Sequence, residues 1–161
     1  MKRFSAICLF TGFLFFSQSA NSQAMGGQYK TALGLRFSPT AITLKHFTSK
    51  QTALEGLLSF WKDGVRFTGL YEWHGPIAGA DGLKWYVGGG PHVDFWDNGY
   101  RNRNNGNGGA GLGVTGVLGL DYKFVKAPIN LALDWMPNVT FIGGNYTNLN
   151  WVGLSVRFAI K

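Results

Sequence analysis

At 161 residues, with 15 basic and eight acidic side chains and a formal charge of +7, the chain has the length of a single domain. The positive excess is spread along the sequence with no cluster beyond Arg101 and Arg103, which argues against a nucleic-acid surface, where a basic stripe or patch is needed. The one cysteine, Cys8, lies in an apolar run near the start and reads as a plain hydrophobe, leaving neither a disulfide nor thiol chemistry for the rest.

The opening, MKRFSAICLFTGFLFFSQSANSQA, places Lys2 and Arg3 ahead of an apolar run from Phe4 to Phe16 and closes on small residues. That layout predicts a secretory signal peptide over residues 1–24, cleaved after Ala20 or Ala24. The apolar run is shorter than the ~20 residues a spanning helix needs. Loss of Lys2 and Arg3 would lower the charge from +7 to +5.

From Tyr29 onward helical spacing gives way to period-two alternation. Eight strands are expected: Tyr29 to Phe37, Ala41 to Phe47, Ala53 to Trp61, Val65 to Trp73, Leu83 to Trp96, Gly111 to Phe124, Ile129 to Trp135 and Trp151 to Ile160. Turn residues separate them, as at Ser38-Pro39-Thr40 and Lys62-Asp63-Gly64. One face of these strands is bulky, with Leu33, Leu35, Phe67, Trp85, Val87, Leu118, Leu133 and Phe158 among its members. The other is small or charged, and it carries Arg36, Glu55, Arg66, Glu72, Asp94, Asp121, Lys123, Asp134 and Arg157.

An eight-stranded barrel has an interior only just wide enough for side chains. The bulky set would overfill it, so the apolar face is expected outside, against lipid, and the charged face inside. Closure is required as well, because an open sheet edge in hydrocarbon leaves backbone groups unsatisfied. The fold expected is therefore all-β, an eight-stranded antiparallel up-and-down transmembrane β-barrel. Trp61, Trp73, Trp85, Trp96, Trp135 and Trp151 fall at or beside strand ends, where an aromatic girdle meets the headgroups. Strict alternation, however, turns Trp61, Trp96 and Trp151 toward the polar face unless a bulge re-aims them. With the N-terminus on the periplasmic side, the two longest connections, Asp97 to Gly109 and Pro137 to Asn150, become external loops.

The passages GLKWYVGGGPHVDFW, GVLGLDYKF, PINLALDWMP and the closing WVGLSVRFAI resemble the small outer-membrane β-barrel proteins of Bacteroidetes-type bacteria, of the OmpX and OmpA barrel kind. That resemblance covers nearly the whole chain after the leader, and many members of the group have no assigned function. It implies residence in the bacterial outer membrane, contact with outer-membrane lipid, and recognition by the barrel-assembly machinery through the last strand, Trp151 to Lys161. The assembly signal usually ends in an aromatic residue, whereas here Phe158 is followed by Ala-Ile-Lys.

Motifs with chemical meaning are sparse. GLGVTG matches the dinucleotide fingerprint at Gly111, Gly113 and Gly116, with Asp134 near the spacing of a ribose-binding acid, but it opens a strand where the motif needs a helix. His92 and Asp94 share the inward parity and are the candidates for an acid/base pair, as in lipid-hydrolysing barrels, although no serine can be assigned to them. His46, His74 and His92 are scattered, so neither a metal site nor any cofactor is expected. The sequons at Asn138 and Asn145 mark an exposed polar loop.

Inward charges of both signs should pair, since an isolated charge in a narrow lumen is costly. Asp134 and Arg157, on consecutive strands, are the favoured partners, and a plugged lumen follows. The functional expectation is a structural or surface-interaction barrel whose external loops meet a ligand or surface polymer. The alternatives are an outer-membrane lipid-modifying enzyme of the lipid A deacylase or acyltransferase kind, and a soluble secreted barrel that binds a small apolar ligand.

Overall fold

Alternating side chains give ten strands in the computed structural model, which describes residues 30–62, 64–96, 109–124, 126–143 and 145–160. The leader at 1–24, Tyr29, Arg101, Arg103, Lys161 and nearly all of the connection after Trp96 lie outside the described residues. The strands are β1 (Thr31–Phe37), β2 (Ala41–Phe47), β3 (Thr52–Trp61), β4 (Gly64–Pro76), β5 (Leu83–Trp96), β6 (Ala110–Lys123), β7 (Ile129–Trp135), β8 (Asn138–Ile142), β9 (Tyr146–Asn148) and β10 (Val152–Ile160).

All pairings are antiparallel, and they close the sheet, with β1 on β10 and β5 on β6. β6 pairs with β7 near one end and with β8 near the other, so β7 and β8 form a single staved wall interrupted at Met136 and Pro137. Proline cannot donate to the ladder, which explains the break, and the Pro137 carbonyl still accepts from Gly116 at 2.8 Å. β9 and β10 make the next wall in the same interrupted way. The result is a closed eight-stranded antiparallel β-barrel, as the alternation predicts.

From Leu35 the ladder leads through Ile42, Leu58 and Phe67 to Val93 in one direction. In the other it leads through Val156, Leu131 and Tyr122 to Leu83, an offset of ten residues on β5. For eight strands this stagger corresponds to a tilt of roughly 40°, inside the usual range. The ends are called here the terminal end, where β1 begins and β10 finishes, and the loop end.

One expectation is corrected at the loop end. The stretch Pro137 to Asn150 is not a free loop, because Asn138–Ile142 and Tyr146–Asn148 extend the barrel wall as a hairpin. Gly143 turns that hairpin with φ of 80°, and a Cβ there would lie 2.0 Å from the Ala110 carbonyl oxygen. The first sequon is consequently not exposed: Asn138 and Thr140 point inward and are buried, while Asn145 and Thr147 stay on the surface.

The glycines of the KWYVGGGPHVDFW stretch have a packing cause. A Cβ on Gly88 or Gly90 would lie 2.2 Å or 1.9 Å from a β4 carbonyl oxygen, so only glycine allows these strands to approach so closely.

Candidate functional site

Burial is inverted relative to a water-soluble core. The largest fully buried side chains include Arg36, Arg66, Arg157 and Lys45, whereas Leu35, Phe67, Trp73, Leu118, Leu133 and Phe141 are all more than half exposed. The residues able to do chemistry therefore line the lumen, where they form three linked groups.

The group nearest the terminal end centres on Lys45. Its ammonium lies 2.8 Å from Glu72 Oε2, 3.0 Å from Glu55 Oε2 and 3.8 Å from Asp121 Oδ2, and it sits over the Tyr86 ring at 4.2 Å from the centroid. Arg157 adds a second cation. It pairs with Glu55 and donates to Thr43 Oγ1 at 3.2 Å and to Asn130 Oδ1 at 3.3 Å. Asn130 in turn donates to Asp121, and Thr43 donates to Glu55. His74 contacts Glu72 at 3.0 Å and stacks on Tyr86. Seven strands, β2 to β7 and β10, are tied together at this level.

Above it, Asp134 accepts from Arg36 and from the Tyr86 hydroxyl, the latter at 2.6 Å. Leu57, Leu70, Tyr86, Val117, Ala132 and Met136 form a buried apolar cluster, with Trp151 packed on it. In the third group, Arg66 makes two hydrogen bonds to Asp94, one of them at 2.9 Å, and donates to the Tyr146 hydroxyl at 2.7 Å. Tyr146 and Thr140 both donate to Asp94 Oδ2, at 2.9 Å and 3.2 Å.

The pairing of Asp134 with Arg157 is not what the barrel builds. Ladder register sets Asp134 opposite Gly153 and Arg157 opposite Asn130, so the two charges are four residues apart along the wall. Arg36 reaches Asp134 by passing over Gly153, where a Cβ would lie 2.6 Å from the guanidinium carbon. Glu55, Glu72, Asp121 and Arg157 come together as a group, and Arg66 and Asp94 as another. Lys123 joins neither: at the β6–β7 turn it donates to the Ala127 carbonyl at 2.6 Å and the Phe124 carbonyl at 3.2 Å.

Several participants are additional to the inward set expected from the sequence: Lys45, His74 and Tyr86, with the hydroxyls of Thr43, Thr140 and Tyr146. Lys45 shares the parity of Thr43 on β2, and that parity was the available signal. His74 belongs to β4, which continues to Pro76 instead of turning at His74.

Three of the six tryptophans differ from a girdle. Trp73, Trp85 and Trp135 are exposed on the outer face. Trp61 and Trp151 follow their parity inward and flank Arg66, with ring centroids 5.8 Å and 4.5 Å from the guanidinium carbon. Trp96 packs near Tyr146, at 6.3 Å between centroids, and over Gly111.

His92 and Asp94 lie side by side in the lumen without a direct hydrogen bond. His92 Nε2 is 3.7 Å from the Asp94 carboxylate, and its two nitrogens are engaged by the Thr115 and Thr140 hydroxyls at 2.8 Å and 2.9 Å. No serine touches it among the described hydrogen bonds, and the hydroxyls within its reach are those of Thr115 and Thr140. Gly111, Gly113 and Gly116 lie within a β-strand, which removes the helix N-terminus a dinucleotide would need. Among the described residues, no group of three or more His, Cys, Asp or Glu is placed to hold a metal ion.

The outer face carries two adjoining shallow grooves of about 440 and 490 Å³, both bordered by Leu44, Gly56, Gly69 and Pro91. No family profile matches the chain, and no curated protein or solved structure matches it either.

Proposed function

We propose that this protein is an integral outer-membrane β-barrel with a closed lumen, serving as a structural or surface-interaction protein. The observation that carries this reading is the inversion of burial: arginine and lysine fill the inside while leucine, phenylalanine and tryptophan cover the outside. Apolar surface of that extent is stable only against another apolar phase, and a barrel without edges is one of the two backbone arrangements that hydrocarbon tolerates. A leader of secretory layout, with Lys2 and Arg3 ahead of the apolar run to Phe16, supports export from the cytoplasm.

A closed lumen follows from the three groups of paired charges and the buried apolar cluster. Charges that satisfy one another within a narrow barrel stiffen it and leave no continuous aqueous path. In planar bilayers the protein should therefore show no steady single-channel conductance, and a large, stable open level would contradict the proposal. Activity at the membrane surface would then fall to the loop end, where the β8–β9 hairpin projects and a ligand or surface polymer could be met. Comparison of lipid A from a deletion strain with its parent tests the enzymatic alternative, and an unaltered acyl pattern is expected.

A further inference from the structure

The barrel wall is not equally tall all round. β1 and β2 have seven residues each, whereas β4 has 13 and β5 and β6 have 14. At the terminal end the ladders run to or within a residue of the strand ends, as in Thr31 with Ile160, Pro76 with Lys84, Leu83 with Tyr122 and Lys123 with Asn130, and only β4 runs on, by three residues, past its last pair with β3, Trp73 with Thr52. That end is therefore nearly level, and the difference in height falls at the loop end. There, among the described residues, β9 has no strand partner beyond β8, and β1 stops at Phe37.

A second observation follows the same slope. Four strands that run toward the loop end carry an outward, exposed phenylalanine at or one residue short of their upper limit: Phe37 on β1, Phe60 on β3, Phe95 on β5 and Phe141 on β8. Aromatic residues in this position mark the boundary between hydrocarbon and headgroups. Phe37 is six residues above Thr31, Phe60 eight above Thr52, Phe95 twelve above Leu83 and Phe141 twelve above Ile129. A rise of about 3.3 Å per residue and a tilt of roughly 40° convert these to heights of about 15, 20, 30 and 30 Å. The aromatic line thus climbs around the barrel instead of forming a level ring.

Resting on the membrane reading above, we infer that the β10–β1–β2 face is a bilayer-thinning surface, against which the hydrocarbon narrows to about 15 Å while the β5–β6–β8 face spans a full-thickness bilayer. A level outer-membrane apolar band of about 25 Å would bury the polar Ser38-Pro39-Thr40 turn well below the headgroups. Tilting the barrel does not remove the mismatch, since it cannot lengthen the short wall. The partner of this face is the lipid itself, drawn inward so that Phe37 and the Thr40 turn reach water.

The test uses full-length protein carrying Cys8→Ala, with single cysteines introduced at the two ends of each wall. Thr40→Cys and Gln51→Cys bracket the short wall, and Asp81→Cys and Thr147→Cys bracket the tall one. Each variant is labelled with a polarity-sensitive fluorophore and reconstituted in dioleoyl-phosphatidylcholine vesicles. A water-soluble quencher is supplied on both sides. All four labels are expected to be quenched at rates within about threefold of one another, even though the short-wall pair is separated by less than the bilayer. Quenching of either short-wall label that is tenfold slower than that of the tall-wall pair would overturn the inference while leaving the membrane reading intact. Failure of the unlabelled protein to enter vesicles would overturn that reading itself.

Discussion

The charge group around Lys45 and the one around Arg66 solve the same problem in different ways. Lys45 is the hub of a network in which three carboxylates surround one ammonium and a second cation, Arg157, supports Glu55 from the other side. Arg66 forms one bidentate pair with Asp94, whose remaining capacity is taken by the neutral hydroxyls of Tyr146 and Thr140. In the first arrangement the neutral donors are spread over several carboxylates, with Thr43 on Glu55 and Asn130 on Asp121. In the second, two neutral donors serve the single carboxylate of Asp94. A buried charge tolerates loss of its partner only as far as other donors remain, so the two groups should differ in how they respond to mutation.

The largest effect is expected from Lys45→Met, which leaves Glu55, Glu72 and Asp121 without their shared cation. A loss of about 3–5 kcal/mol is predicted for urea unfolding in detergent micelles. Glu72→Gln in the same chain should recover part of it, and strict additivity would argue against a network. Arg66→Met comes next at about 2–3 kcal/mol, because Tyr146 and Thr140 still donate to Asp94. A cost equal to that of Lys45→Met would erase the distinction between the two groups. Tyr146→Phe should cost about 1.5 kcal/mol, the value of hydrogen bonding to charged partners. His92→Phe is the smallest change, about 1 kcal/mol, since the Thr115 and Thr140 hydroxyls can rotate toward other partners. For this last variant, the temperature of the gel-mobility shift is the convenient measurement.

How much of this was legible in the sequence depends on the strand concerned. Where alternation is long and clean, as in Val65 to Trp73 or Leu118 to Phe124, parity assigned the inward residues correctly, including Arg66, Glu72 and Asp121. β2 was harder. In AITLKHF the outward positions are Ile42, Leu44 and His46, while the inward face ends on Phe47, so neither face is uniformly polar and Lys45 does not stand out. Which charges meet was not legible at all, because pairing depends on register and on reach across the lumen. Arg36 finds Asp134 only because Gly153 leaves space for a guanidinium between them. The β8–β9 hairpin was hidden by Pro137 and a glycine-asparagine turn, which look like loop when alternation lasts only from Asn138 to Phe141. Trp61 and Trp151 had the opposite problem. Their parity pointed inward, yet their position at strand ends suggested a girdle, and contact with Arg66 decided the matter in favour of parity.

The central claim is that the leucine- and phenylalanine-covered face meets hydrocarbon. Its most direct test is fractionation of cells producing the full chain, followed by gel electrophoresis of the membrane fraction with and without boiling. The account predicts recovery in the outer-membrane fraction and a mobility that changes on boiling, as a closed barrel unfolds. Recovery of the folded protein in the soluble periplasmic fraction would contradict it.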